Sequence, residues 1–535
     1  MISRRHFIAS LAITLMGSVA FAQEVPTTIT RVVIAPARSE LARAIRAELD
    51  SMRNAGTEGA QDLYYFYGGR GFEPLWLESA STSWMLGARA AALASAFGRA
   101  GELGLEPLDY EFKQAELTTI DLAVRAELAA TAIAIRFGND NFGGRLEPRK
   151  LSSNLDMPNQ RLPLAELLAL LEQDDPSAAL LALAPPDAEF KALLAMLATT
   201  NAAPEIPQLA DGPSLKPGVE DPRVPVLRER LSLALPEENS AIYDDELVAA
   251  VTAFQVELGL VADGIVGNAT REALNRGNAA GRDQILVNLE KWRWLPRDRG
   301  NYRVEVNVPE YRLWVRRDGV SVHETKVVVG RPQNQTPIFY DLIRHVVVNP
   351  YWNVPTSIVR RDVAPQVVRD PGYLARREFE ILTGDGLVID PWTVNWAAVQ
   401  PGSFPFLLRQ KPGTQNSLGQ VKFLFPNKHD VYLHDTPEKQ LFNRDARAFS
   451  AGCVRVENPF DFADVLLADE PSLNRNTLER AFGPNEKWFN MQVRVPVFLT
   501  YFTVRVDEAG KARSYADVYG HDARIAAALF ERTAL

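Results

Sequence analysis

The chain reads as an α+β multidomain protein. It has a mainly helical N-terminal region, a small three-helix module and a mostly-β C-terminal domain broken by a long insertion. Three observations predict this. Apolar residues recur at helical spacing through much of the chain before residue 275, and from Tyr302 they alternate or run β-branched. Prolines at 185, 186, 204, 207, 213, 217, 222 and 225 mark a boundary zone between the first two units. At 535 residues the chain is too long for a single core, so several domains are expected.

The first 22 residues read as a leader and are set aside from the fold. Ser3-Arg4-Arg5-His6-Phe7 is a twin-arginine pattern, an apolar run follows, and Ala20-Phe21-Ala22 gives an A-x-A cleavage site. That run is shorter than the ~20 residues a membrane span needs. No later stretch resembles a span, so an exported chain is expected. After a helical pattern over 39–53, the first domain is placed at 60–200, with helices expected over 84–99 and 117–137 and a shorter one over 188–198. The module is placed at 215–275. Its helices fall over 226–233, 244–258 and 270–275, and Asp263-Gly264 forms a turn before the last. The β domain is placed at 300–505. Strands are expected over 302–308, 311–316, 324–329, 345–349, 422–425, 431–433 and 493–504. An insertion from about 353 to 412 holds helical pieces and Pro/Gly turns, as a lid or substrate-shaping subdomain would. Residues 506–535 are left as a C-terminal tail.

Hydrophobic content of 46% and charged content of 23% are ordinary for a globular protein. The net charge of −9 becomes −11 once Arg4 and Arg5 leave with the leader. That balance disfavours nucleic acid as a partner. No cluster has metal-ligand spacing, and no metal or cofactor is expected.

One cysteine stands in the whole chain. Cys453 lies in Ser450-Ala451-Gly452-Cys453-Val454-Arg455, with His434 upstream in Tyr432-Leu433-His434-Asp435. A lone thiol in a Ser-x-Gly-Cys turn, with a histidine to take its proton, is a candidate nucleophile. A free thiol titrates near pH 8.5, so a base is needed at neutral pH. Gly452 allows a tight turn that can aim the N–H groups of Gly452 and Cys453 at a developing oxyanion. A buried structural cysteine is the alternative, but Ser, Gly and Arg flank this one rather than an apolar run.

The stretch from His434 to Arg455 resembles the signature of the L,D-transpeptidase family. Gly330-Arg331-Pro332 with Gln335-Thr336-Pro337, Asn349-Pro350-Tyr351-Trp352-Asn353 and Val421 to Asn427 extend the likeness. Ala253-Phe254-Gln255, Gly259-Leu260 and Asp263-Gly264 through Leu274 resemble a peptidoglycan-binding domain. Together they are similar to the large exported branch of the family, in which a scaffold domain and a peptidoglycan-binding module precede a catalytic domain with a capping insertion. Ala451 departs from the signature, because many relatives carry a second histidine there.

The resemblance implies a periplasmic, wall-associated enzyme of peptidoglycan biosynthesis and cell shape that makes 3–3 cross-links. Cys453 would be the nucleophile and His434 the base, with the backbone of Gly452 and Cys453 holding the oxyanion. Arg455, Ser450, Tyr432 and Trp352 are candidates for binding or orienting substrate. Arg455 would either grip a carboxylate or brace the nucleophile loop, and Ser450 would orient His434 or shape the turn. The partners implied are peptidoglycan stem peptides and glycan. Three other readings stand beside cross-linking: an L,D-carboxypeptidase that uses water, attachment of an envelope protein, and a non-catalytic wall-binding scaffold.

Overall fold

The computed structural model describes residues 33–530 apart from 81–82, 112–116, 201–206, 237–240, 259, 277–280 and 508. The expected leader lies outside the described residues. The architecture is α+β, helical toward the N-terminus and mostly β from Tyr302.

The helix Glu40–Asn54 begins where the sequence says it should, because Ser39 caps it by accepting the Ala42 N–H at 3.0 Å. Thr119 caps the 24-residue helix Ile120–Gly143 in the same way. One expectation fails here. Trp84–Leu86 is not helical but pairs antiparallel with Leu77–Ser79, while the Trp84 backbone also bonds Leu117 in both directions. Tertiary pairing overrides the helical periodicity, and the helix starts only at Ala88, after Gly87. In the module, the helices Val224–Arg230, Asp245–Leu258 and Asn268–Arg276 enclose a core of their own that includes Leu215, Leu227, Leu247 and Val251.

The β domain is built from nine strands: β1 (Tyr302–Asn307), β2 (Arg312–Arg317), β3 (Val320–Gly330), β4 (Phe339–Val348), β5 (Val421–Leu424), β6 (Leu433–His434), β7 (Ala448–Ser450), β8 (Val454–Val456) and β9 (Lys487–Thr500). Their order is β7-β3-β8-β6-β5-β4-β9-β1-β2, and β2 pairs back onto β3. That last pairing closes the sheet into a barrel, which removes its open edges. Val304, Val327, Val346, Phe423, Leu433 and Val454 fill the core.

Between β4 and β5 the chain leaves the barrel for the insertion. There Trp352–Asn353, Leu407–Gln410, Phe379–Leu382 and Val388–Ile389 form a separate four-stranded sheet. Helical turns from Thr356 to Arg369 pack on it around Val363, Val367 and Ile381. After β9 the chain is not a loose tail. Val504–Val506 and Ala512–Ser514 pair, and the helix His521–Phe530 buries His521, Ile525 and Leu529. The barrel core extends into the helix Ala188–Thr200 through Phe190, Leu193 and Leu197, and into Arg282–Arg293 through Ile285 and Leu289.

Candidate active site

Strand register assembles the site. β6 runs parallel to β8, with Leu433 opposite Val454 and His434 opposite Arg455. β5 runs antiparallel to β6 and sets Lys422 opposite His434. Side chains alternate between faces along a strand, and directly opposed residues share one. Leu433, Val454 and Phe423 therefore point into the barrel core, while Lys422, His434 and Arg455 line up on the other face. The Val454 N–H donates to the Tyr432 carbonyl, so the same register carries one step back and sets Tyr432 beside Cys453 on that face.

His434 is 3% exposed. Its Nδ1 lies 2.5 Å from the Asp435 carbonyl oxygen. A carbonyl can only accept, so Nδ1 carries the hydrogen and Nε2 is left as the basic nitrogen. Burial pushes the imidazole down to about 3; the charges of Arg455 and Lys422 add to the shift and the Asp435 and Leu418 carbonyls oppose it. Asp435 is held in turn by the Gln420 N–H at 2.9 Å and by Lys439. The Tyr432 ring stands 5.6 Å from the His434 ring, edge-on.

The Cys453 Sγ donates to the Asp430 carbonyl oxygen at 3.7 Å. Asp430 has φ +54°, a left-handed conformation that Asp tolerates better than most residues. Burial pushes the thiol up to about 11, opposed by hydrogen bonds from the Tyr432 backbone and side chain and by the Arg455 charge. Both shifts favour the uncharged forms of the thiol and the imidazole.

The turn before the thiol is braced from inside. Ser450 Oγ accepts the Gly452 N–H at 3.1 Å and donates to the Cys453 carbonyl oxygen at 2.5 Å. Ser450 therefore shapes the turn and has no bond to His434. It also occupies the Gly452 N–H, one of the two donors expected to face an oxyanion. Gly452 sits at φ +126°, a conformation that favours glycine. Arg455 pairs with Glu438, an acid at the rim of the same face. Trp352 lies elsewhere: its ring stands 6.2 Å from Phe379 and packs against the core of the insertion. Sequence reasoning assigned no site role to Lys422, Asp430 or Thr336: Lys422 and Thr336 lie in stretches that extend the likeness, but register or a loop is what brings all three to the site. Among the described residues no group of three or more His, Cys, Asp or Glu side chains could hold a metal ion.

Residues 301–474, which span β1 to β8, match the L,D-transpeptidase catalytic domain. Over these residues the chain is similar to the L,D-transpeptidases. Residues 61–197 match a scaffold domain, and residues 220–274 match the family described as "Putative peptidoglycan binding domain". A curated protein of Haemophilus influenzae, named "Putative L,D-transpeptidase", is 35% identical over 246 residues. That match covers 45% of this chain and 48% of the relative, so the chain spans about half the length of the curated relative it matches. Two solved structures are also similar to this chain. An L,D-transpeptidase from Xylanimonas cellulosilytica has 17% identity and a TM-score of 0.17, covering 56% of this chain and all of that one. One from Stackebrandtia nassauensis has 13% identity and a TM-score of 0.21, covering 55% and 96%.

Proposed function

We propose that the protein is an exported cysteine L,D-transpeptidase that forms 3–3 cross-links in peptidoglycan. The observation that carries the reading is the single sheet face that sets Tyr432 and His434 of one strand beside Cys453 and Arg455 of the next, with His434 Nε2 left as a base. Cys453 attacks the carbonyl between residues three and four of a stem peptide. Its proton passes to His434 Nε2 as the C–S bond forms, since both groups favour their uncharged forms. The tetrahedral oxyanion takes the Cys453 N–H. The C–N bond then breaks, His434 returns the proton to the departing D-alanine amine, and a thioester remains. The side-chain amine of a neighbouring diamino acid attacks that thioester, giving up a proton to His434 and releasing the thiol.

The match of 220–274 to a peptidoglycan binding domain supports a wall substrate and a periplasmic location. Tyr432, whose hydroxyl bonds the thiol, is read as an orienting residue. Arg455, already paired with Glu438, is read as a brace that also adds positive charge to the site.

The test is mass spectrometry of a disaccharide-tetrapeptide after incubation with the mature protein, beside Cys453→Ala. A cross-linked dimer short of one D-alanine, absent with the variant, is expected. Tripeptide alone would mean that water is the acceptor and the enzyme an L,D-carboxypeptidase. Equal product from Cys453→Ala would overturn the nucleophile assignment. No product from either protein, together with no carbapenem adduct on Cys453, would favour a non-catalytic wall-binding scaffold. An adduct without product would favour a protein amine as acceptor.

A further inference from the structure

The loop from Gly330 to Ile338 runs beside the nucleophile turn, and one buried hydroxyl joins the two. Thr336 is fully buried. Its Oγ1 accepts the Gly330 N–H at 2.9 Å and lies 2.8 Å from the Gly452 carbonyl oxygen. A carbonyl only accepts, so the single hydroxyl hydrogen of Thr336 goes to Gly452. Gly330 is required for this approach, because a Cβ there would stand 2.1 Å from the Asn334 carbonyl oxygen.

The peptide bond is planar and trans, so the Gly452 C=O and the Cys453 N–H belong to one rigid unit and point in opposite directions. Holding the carbonyl on the Thr336 side turns the N–H to the other. Ser450 already binds the Gly452 N–H and the Cys453 carbonyl. The Cys453 N–H is the remaining donor of this pair, and it has no acceptor among the described residues.

We propose that Thr336 is a positioning residue: its hydroxyl locks the Gly452–Cys453 peptide so that the Cys453 N–H faces the oxyanion formed when the thiol attacks a carbonyl. The proposal rests on reading Cys453 as the nucleophile. Without the hydroxyl, the Gly330 N–H and the Gly452 carbonyl both lose their partner and the peptide can rotate, while the thiol and His434 keep their strand-held places.

Two reagents separate this role from general support of the fold. A carbapenem acylates the thiol through a tetrahedral oxyanion, whereas iodoacetamide is attacked at a saturated carbon, loses iodide and forms none. In the full chain, Thr336→Val is expected to slow carbapenem acylation of Cys453 about 10²-fold, the scale of losing one oxyanion donor. Its iodoacetamide rate should stay at the wild-type value, and Thr336→Ser should restore acylation. Tyr519→Phe serves as the control for loop support. Its hydroxyl accepts the Thr336 N–H at 3.2 Å and donates to the Gly330 carbonyl at 2.5 Å, leaving the Thr336 hydroxyl untouched. It should acylate nearly as fast as the wild type. Wild-type acylation in Thr336→Val, equal slowing with both reagents, or a Tyr519→Phe defect as large as that of Thr336→Val would each overturn the proposal. A wild-type protein that takes iodoacetamide at Cys453 but no carbapenem would sink the nucleophile reading itself, and this proposal with it.

Discussion

The scaffold-matching region and the helical module both precede the barrel, yet they are joined to it in different ways. The scaffold side shares the barrel's core. Leu146, Leu155, Phe190, Leu193 and Leu197 pack in one cluster with Trp292, Trp294 and the barrel valines. Polar contacts follow the same seam. Glu189 receives Arg505 at 2.7 and 3.0 Å and the Val506 N–H at 2.9 Å, and Glu290 receives the Leu146 N–H at 2.8 Å. The module instead closes its core on itself and reaches the barrel through the Val261 N–H, which donates to the Asp445 carboxylate. A shared core makes two regions one cooperative unit, whereas a private core lets a region open by itself. On this contrast the scaffold region is part of the barrel's body, and the module is an attachment.

The largest test of that contrast is Trp294→Ala, in the seam and 2% exposed. It should cost about 3–5 kcal/mol and lower the melting of the scaffold region and barrel together. A scaffold transition that moved alone would break the comparison. Next comes Leu247→Ala in the module, expected to cost roughly 2–5 kcal/mol but to shift only the module's transition. Deleting 215–275 should weaken retention on peptidoglycan while leaving turnover of small soluble stem peptides near wild type, measured by pull-down and mass spectrometry. Equal loss of both would make the module structural. The mildest probe is pH. Alkylation of Cys453 should rise about tenfold per unit as the thiol ionises and level off only near pH 11. The causes of that shift are burial, Tyr432, Arg455 and Asp430, none of them in the module. The profile of the deletion protein should therefore overlay that of the full chain.

Much of this was legible in the chain itself. The helices around Leu41, Leu193 and Leu247 announce themselves by period, and the long strands by their β-branched runs. The Cys453 and His434 pair stands out through residue type and spacing. What stayed hidden was set by pairing rather than pattern. β6 is two residues long, too short for any periodicity, yet its register aligns Lys422, His434 and Arg455. Thr336 belongs to a recognisable motif, but its hold on Gly452 depends on a loop folding back. For Trp352, an aromatic beside a strand gives no sign of whether it lines a groove or joins a core, and its ring packs against the core of the insertion. The C-terminal segment has too short an apolar pattern to reveal that Ile525 and Leu529 are buried.

The protonated thiol of Cys453, held against the Asp430 carbonyl, also bears on the protein's chemical lifetime. The thiolate, not the thiol, is the form that attacks peroxides and disulfides. Burial pushes the thiol up to about 11, which favours the protonated form at neutral pH. A solitary cysteine has no resolving partner in its own chain, so its over-oxidation is not reversed by an internal disulfide. Keeping the proton in place shields the sulfur from incidental oxidants.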